Sequence, residues 1–241
     1  MDGQHHLLQE LFISESCDSD ASFSLLDSFP NLMRVQIWWC EKMESIVVSR
    51  SLSCLRSLYI EDCGSLKSMS TLWMAAPQLE DLIIKGCKEM DLSATGNPHC
   101  SLRSLQISYC EKLADSAPFM NSQFHGLTYL RIQGRFHESV KRLPKEGWLP
   151  TSLESLELSS IYSMETLECK GLAHLTSLQT LAICHCPKLE SIDGEKLPAS
   201  LIRLTIIQTP SLGERCQMKD PQIWPKISHI PSIQVDHRLI C

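Results

Sequence analysis

Apolar residues recur along this chain in a frame that returns after about two dozen positions. The stretch "LRSLYIEDCGSL", residues 55 to 66, carries one copy. Leu58 and Ile60 alternate with polar or variable neighbours, the period-2 pattern of a short half-buried strand, and Cys63 follows three residues on. Aligned as L-x-x-L-x-I-x-x-C, the anchors are Leu32-Val35-Ile37-Cys40, Leu55-Leu58-Ile60-Cys63, Leu79-Leu82-Ile84-Cys87 and Leu102-Leu105-Ile107-Cys110, whose first leucines lie 23, 24 and 23 residues apart. The series continues through Leu127-Leu130-Ile132, Leu153-Leu156-Leu158, Leu178-Leu181-Ile183-Cys186 and Leu201-Leu204-Ile206, at steps of 25, 26, 25 and 23 counted from Leu102. Leu8-Leu11-Ile13 fits 24 residues upstream of Leu32, and Ile230-Ile233-Val235 is a worn last copy. The expected organisation is a single domain over 1–241, with nine repeats over 5–212 and a degenerate terminal repeat or cap over 213–241.

Each unit reads as one strand and a return. After the cysteine comes a second apolar pair, Leu66 with Met69 or Leu189 with Ile192, that takes the chain round the opposite side. One such unit cannot bury its own apolar side, whereas units stacked in parallel share a continuous core. The predicted fold is therefore an α/β solenoid, a horseshoe with a curved parallel β-sheet on its concave side and an irregular or short-helical convex side. At a strand spacing of about 4.8 Å, ten strands give a surface on the order of 45 Å long. Proline punctuates the convex returns, and the lead-ins "WLPTSLESL" and "KLPASLIRL" read as extended approaches to a strand.

The cysteines fall where the chain leaves each strand and turns inward. A cysteine fits a small buried corner and offers a weak S–H donor to backbone left without a ladder partner. The twelve cysteines thus read mainly as packing rather than as a disulfide scaffold, which belongs to small secreted chains. Metal is the competing reading at Cys184-His185-Cys186 with His174, but no C-x-x-C pair occurs, and alternation sends Cys184 and Cys186 to different sides. No metal is expected.

Reactive motifs are missing. No two of the ten glycines are close enough to form a phosphate-cradling loop, and His137-Glu138 lacks the second histidine of H-E-x-x-H, since Lys141 stands there. There is no G-x-S-x-G. A net charge of −6, from 22 basic against 28 acidic residues, leaves no footprint for nucleic acid. The start "MDGQHHLLQELF" has no signal-peptide pattern and no membrane span is visible. The chain is read as non-enzymatic, with no cofactor of its own.

What remains is surface. Alternation projects Phe12, Arg34, Gln36, Trp38, Tyr59, Glu61, Asp81, Ile83 and Lys85 from the concave side. Ser104, Gln106, Ser108, Tyr129, Arg131, Gln133, Ser155, Glu157 and Ser159 follow on the same rule. Trp, Tyr and Arg are the usual anchors of protein interfaces. Phe12, Arg34, Gln36, Trp38, Tyr59, Glu61, Lys85, Tyr129 and Arg131 are therefore the candidate protein-binding surface. Trp38, in the pair Trp38-Trp39, is expected to be exposed, so that its truncation leaves thermal stability nearly unchanged.

The units "SLRSLQISYCEKL" and "SLQTLAICHCPKLESI", the "LP-[AT]-SL" lead-ins and the tail "LGERCQMKDPQIWPKISHIPSIQVD" resemble the leucine-rich-repeat part of plant intracellular nucleotide-binding leucine-rich-repeat receptors of the coiled-coil class. The resemblance covers essentially the whole chain. It implies a recognition module in the cytoplasm or nucleus, binding a pathogen effector or guarded host protein, or holding the receptor inactive through its own nucleotide-binding domain. ADP or ATP would belong to that separate upstream domain. The expectation is a fragment that starts inside the array, leaving the Leu11 to Ile13 strand as an open edge. Two other classes are weighed: a substrate-recognition subunit of an F-box ubiquitin ligase, marked by an upstream F-box, and a secreted repeat protein, marked by a signal peptide and capping cysteines.

Overall fold

A computed structural model describes residues 7–15, 25–91, 101–112, 124–134 and 140–240. The chain divides into two compact units, Met1–Ser116 with Gln123–Leu127, and Ala117–Ser122 with Thr128–Cys241. Each is a run of parallel-stranded β-solenoid coils.

In the first unit the L-x-I halves of the frame form β1 (Glu10–Ser14), β2 (Arg34–Trp38), β3 (Ser57–Glu61), β4 (Asp81–Lys85) and β5 (Ser104–Ser108). They pair in parallel without slip, Leu11 opposite Val35, Val35 opposite Leu58, Leu58 opposite Leu82 and Leu82 opposite Leu105. In the second unit β6 (Tyr129–Gln133), β8 (Ser155–Ser159), β10 (Thr180–Cys184), β12 (Arg203–Ile207) and β13 (Ser232–Val235) repeat the arrangement. A short antiparallel strand, β14 (Arg238–Leu239), closes on β13. On the return side of this unit a second parallel sheet joins β7 (Arg142–Leu143), β9 (Thr166–Glu168) and β11 (Ser191–Asp193).

Register makes the core. A one-residue slip would turn every Leu and Ile outward, so the columns Val35-Leu58-Leu82-Leu105 and Ile37-Ile60-Ile84-Ile107 stay buried, as do the return residues Leu66, Met69, Leu189 and Ile192. The α-helices among the described residues are short: α1 (Ser70–Ala75), α2 (Cys169–Leu172), α3 (Pro210–Gln217) and α4 (Trp224–Ile227).

Two tight turns recur among the described coils. At the first, the carbonyl of the cysteine position accepts the N–H three residues on, Met43 on Cys40, Leu66 on Cys63, Met90 on Cys87 and Leu189 on Cys186. At the second, the N–H of the leading leucine closes on the residue three before it, as Leu55 does on Leu52 and Leu79 on Ala76. The proline lead-ins differ from the extended approach expected of them. Pro150 and Pro198 open this second turn, their carbonyls accepting the N–H of Leu153 and Leu201 at 3.2 and 3.1 Å. The turn uses only the carbonyl of its opening residue, so the missing N–H of proline costs nothing there.

The cysteine corner has a fixed construction. Each thiol donates to the carbonyl two residues back: Cys40 to Trp38, Cys63 to Glu61, Cys87 to Lys85, Cys110 to Ser108 and Cys186 to Cys184, at 3.3 to 3.6 Å. Thr209 occupies the same position after β12 and donates to the Ile207 carbonyl at 3.2 Å. Between donor and acceptor sits a residue in the left-handed region, Trp39, Asp62, Gly86, Tyr109, His185 or Gln208. Burial pushes the Cys110 and Cys186 thiols up to about 11, so they are protonated and unreactive at neutral pH.

Leu58→Ala removes a fully buried column member and is expected to cost about 2 to 5 kcal/mol, read as a fall in the urea midpoint. Cys110 and Cys186 give a pH signature. Their ordinary value is 9.0 and their folded value is raised, so the unfolded chain loses these protons first and the stability they contribute is whole below pH 9, then declines towards pH 11. Cys110→Ala with Cys186→Ala should flatten that decline in urea midpoints measured across pH 8 to 11; an unchanged slope would disprove the assignment.

Candidate functional site

The strands present their first, third and fifth positions outward, and the pairing register aligns these side chains into rows. In the first unit Phe12, Gln36, Tyr59 and Ile83 form one row, and Ser14, Trp38, Glu61 and Lys85 the next. Arg34, at the start of β2, is exposed and forms an ion pair with Glu10 at 2.8 Å.

Trp38 is the hub. Its ring centroid lies 6.1 Å from Phe12 and 6.2 Å from Tyr59, both edge-on, and 6.1 Å from the tilted ring of Trp39. These partners cover it, and Trp38 is half-buried with an Nε1 that is shielded from solvent and has no hydrogen-bond partner among the described residues. The aromatic cost expected of an exposed tryptophan is met within the sheet, by residues one coil away on either side. Within this cluster the exposed rings are Phe12, at 57%, and Trp39, at 51%.

Polar contacts tie the same cluster to its neighbour. Tyr59 OH donates to Glu61 Oε2, and Lys85 Nζ donates to Tyr59 OH at 2.9 Å while lying 4.9 Å from the ring centroid. Burial, then the Glu61 carboxylate, raises the Tyr59 phenol above its usual range. The second unit has a parallel arrangement. Tyr129 OH donates to Glu157 Oε2 at 3.2 Å, Arg131 Nε lies 3.3 Å from Glu157 Oε1, and Arg131 Nη2 donates to Gln133 Oε1 at 3.3 Å. Tyr129 is raised too, first by burial and then by Glu157. In both places a tyrosine hydroxyl sits against a carboxylate flanked by a cation.

Each of the nine candidate residues lies on the outward side of its own unit's strands, Phe12, Arg34, Gln36, Trp38, Tyr59, Glu61 and Lys85 in the first unit and Tyr129 with Arg131 in the second. Two serines placed there by alternation do not reach solvent: Ser108 is 4% and Ser159 is 2% exposed. A short side chain at the last strand position is overshadowed by its register neighbours, Lys85 beside Ser108 and Gln133 beside Ser159. Alternation passes over Trp39, which the left-handed backbone at the strand exit turns outward (φ 55°). A large apolar residue immediately before the corner cysteine is the signal that could have found it.

Among the described residues no group of three or more His, Cys, Asp or Glu is placed to hold a metal ion. His174 Nε2 is within 2.8 Å of the Leu149 carbonyl, and Cys186 is committed to its corner. His137 and Glu138 lie outside the described residues. No helix among the described residues is long and apolar enough to cross a membrane.

No family model matches the chain. It is similar to a plant protein of resistance name. The Arabidopsis thaliana protein "Putative disease resistance protein At3g14460" is 28% identical to it over 258 aligned positions, covering 95% of this chain. The chain spans 18% of that protein's length. Stacked parallel coils on an L-x-x-L-x-I frame fit a leucine-rich-repeat domain.

The geometry separates two substitutions that the sequence treats alike. Trp38→Ala loses three ring contacts and is expected to cost about 1 to 3 kcal/mol. Arg131→Ala loses a partly solvated ion pair and should stay within about 1 kcal/mol. Thermal denaturation of both variants checks this; equal melting temperatures would mean that the rings around Trp38 contribute nothing.

Proposed function

We propose that the chain is a leucine-rich-repeat recognition module of a plant immune receptor, one domain of horseshoe shape whose concave side binds a protein. The observation that carries the reading is the similarity to the Arabidopsis protein along nearly the whole chain. The outward rows support it, because they gather Trp, Tyr and Arg, the residue types that anchor protein interfaces. The partner is a pathogen effector, a guarded host protein or the receptor's own nucleotide-binding domain. The mechanism is differential binding: a ligand that favours the open receptor over the closed one shifts the population by the difference in its two affinities. The module itself is non-catalytic and works in the cytoplasm or nucleus. Any ADP or ATP is held by a separate domain.

Proximity labelling in leaf cells tests the surface. The wild-type chain is expected to label a reproducible set of proteins that Arg34→Ala with Arg131→Ala loses by about tenfold, at equal abundance. Those side chains lie on the surface, so folding is spared. Identical labelled sets for wild type and variant would overturn the assignment of this face.

A further inference from the structure

Phe12, Gln36 and Tyr59 stand in one outward row on three successive coils of the first unit, held in register by the strand pairing. Adjacent coils are about 4.8 Å apart, which sets Phe12 and Tyr59 about 9.6 Å from each other along the stack. The Trp38 ring centroid lies 6.1 Å from that of Phe12 and 6.2 Å from that of Tyr59, and the same ring props the exposed Trp39 at 6.1 Å. The four rings make a continuous aromatic surface. Its charged neighbours are spent on one another: Arg34 is paired with Glu10, and Glu61 and Lys85 both meet the Tyr59 hydroxyl. Two neutral donors are not. Neither the half-buried Gln36 amide nor the Trp39 indole N–H has a hydrogen-bond partner among the described residues.

A segment that complements this surface brings apolar groups at the same spacing and open carbonyls for the two donors, and it needs no counter-charge. A polyproline II helix meets each condition: it advances about 9.3 Å per three-residue turn, its side chains there are pyrrolidine rings, and with no internal hydrogen bonds its carbonyls stay free. We propose that the row Phe12, Gln36 and Tyr59, with Trp38 and Trp39 beside it, receives a proline-rich segment of the partner protein. The segment lies across the strands, with two prolines three residues apart seated against Phe12 and Tyr59. This deepens the proposed function and rests on it. Gln36 and Trp39 donate to the carbonyls between the prolines, the combination of aromatic lining and a few placed polar groups by which such segments are recognised. Because a polyproline II helix is formed before it binds, little ordering entropy opposes a contact of this small size.

The test uses the full chain with 15N-labelled indoles, whose five tryptophans report separately once Trp38→Phe and Trp39→Phe have assigned two resonances. The probes are the acetylated, amidated peptide Ser-Pro-Pro-Gln-Pro-Pro-Gln-Pro-Pro-Ser and the same peptide with alanine for every proline, which is equally neutral but free to form an α-helix. The proline peptide is expected to shift the Trp38 and Trp39 resonances saturably, while Trp73, Trp148 and Trp224 stay still. Alanine for proline, or either variant Phe12→Ala or Trp39→Ala, should weaken binding about fivefold or more. Unmoved Trp73, Trp148 and Trp224 resonances confirm the fold of both variants. No saturable shift, an equal response to the alanine peptide, or unchanged binding in Phe12→Ala would overturn the proposal. In that event, labelling in leaf cells that still depends on Arg34 and Arg131 leaves the recognition face in place and removes only the proline-rich occupant.

Discussion

The fold depends on how the chain leaves a strand without breaking the ladder. At the end of β3 the Glu61 carbonyl accepts the N–H of Trp39 from the preceding coil and the thiol of Cys63 from its own. One acceptor thus binds the coil to its neighbour and fixes the inward turn. A left-handed residue between strand and cysteine makes this possible, because it swings the cysteine under the strand while its own N–H still points along the stack. The same double acceptance recurs at the carbonyls of Trp38, Lys85, Ser108, Cys184 and Ile207, so stacking in register follows from a repeated corner and not from any single large contact. The buried leucine columns supply the free energy, and the corners decide which stacking uses it.

Ion pairs one coil apart add little to this. Arg56 with Glu80, Lys67 with Glu44 and Lys141 with Glu165 run between adjacent coils, but their groups are substantially exposed, and such pairs contribute at most about 1 kcal/mol each. They help to exclude a slipped register more than they stabilise the right one. Arg215 is a different case. It forks onto Asp220 with Nε to Oδ2 at 3.0 Å and Nη2 to Oδ1 at 3.2 Å, and it donates to the Glu190 carbonyl at 2.7 Å. That clamp fixes the tail segment against the coil beneath it, and Arg215 holds the Asp220 carboxyl below its usual range.

Strand positions and core columns were legible in the sequence because their signal is local. Leu58, Ile60 and Cys63 are separated by two and three residues, and a period of two needs no knowledge of neighbours. The left-handed corners were illegible for the opposite reason. Their occupants, Trp39, Asp62, Gly86, Tyr109, Ser160, His185 and Gln208, share no chemistry, and of these only glycine advertises the conformation. The candidate surface was half legible. Alternation could say that Trp38 and Ser159 point outward, but whether they meet solvent is decided by side chains 20 or more residues away in sequence, Tyr59 and Phe12 for the one and the flanking coils for the other.

The left-handed corners also bear on how such a chain can be hardened. A residue with a Cβ in that region costs about 1 to 2 kcal/mol over glycine, and the array accepts this at almost every coil. Gly86 and Gly134 are exceptions, and at Gly86 the Asp62 side chain leans into the space that a Cβ would take. Glycine at the other corners would relieve backbone strain and raise heat tolerance, but it would strip away the indole, phenol and imidazole that hang there. Thermal robustness and chemical variety compete for the same few positions, and this chain has settled in favour of variety.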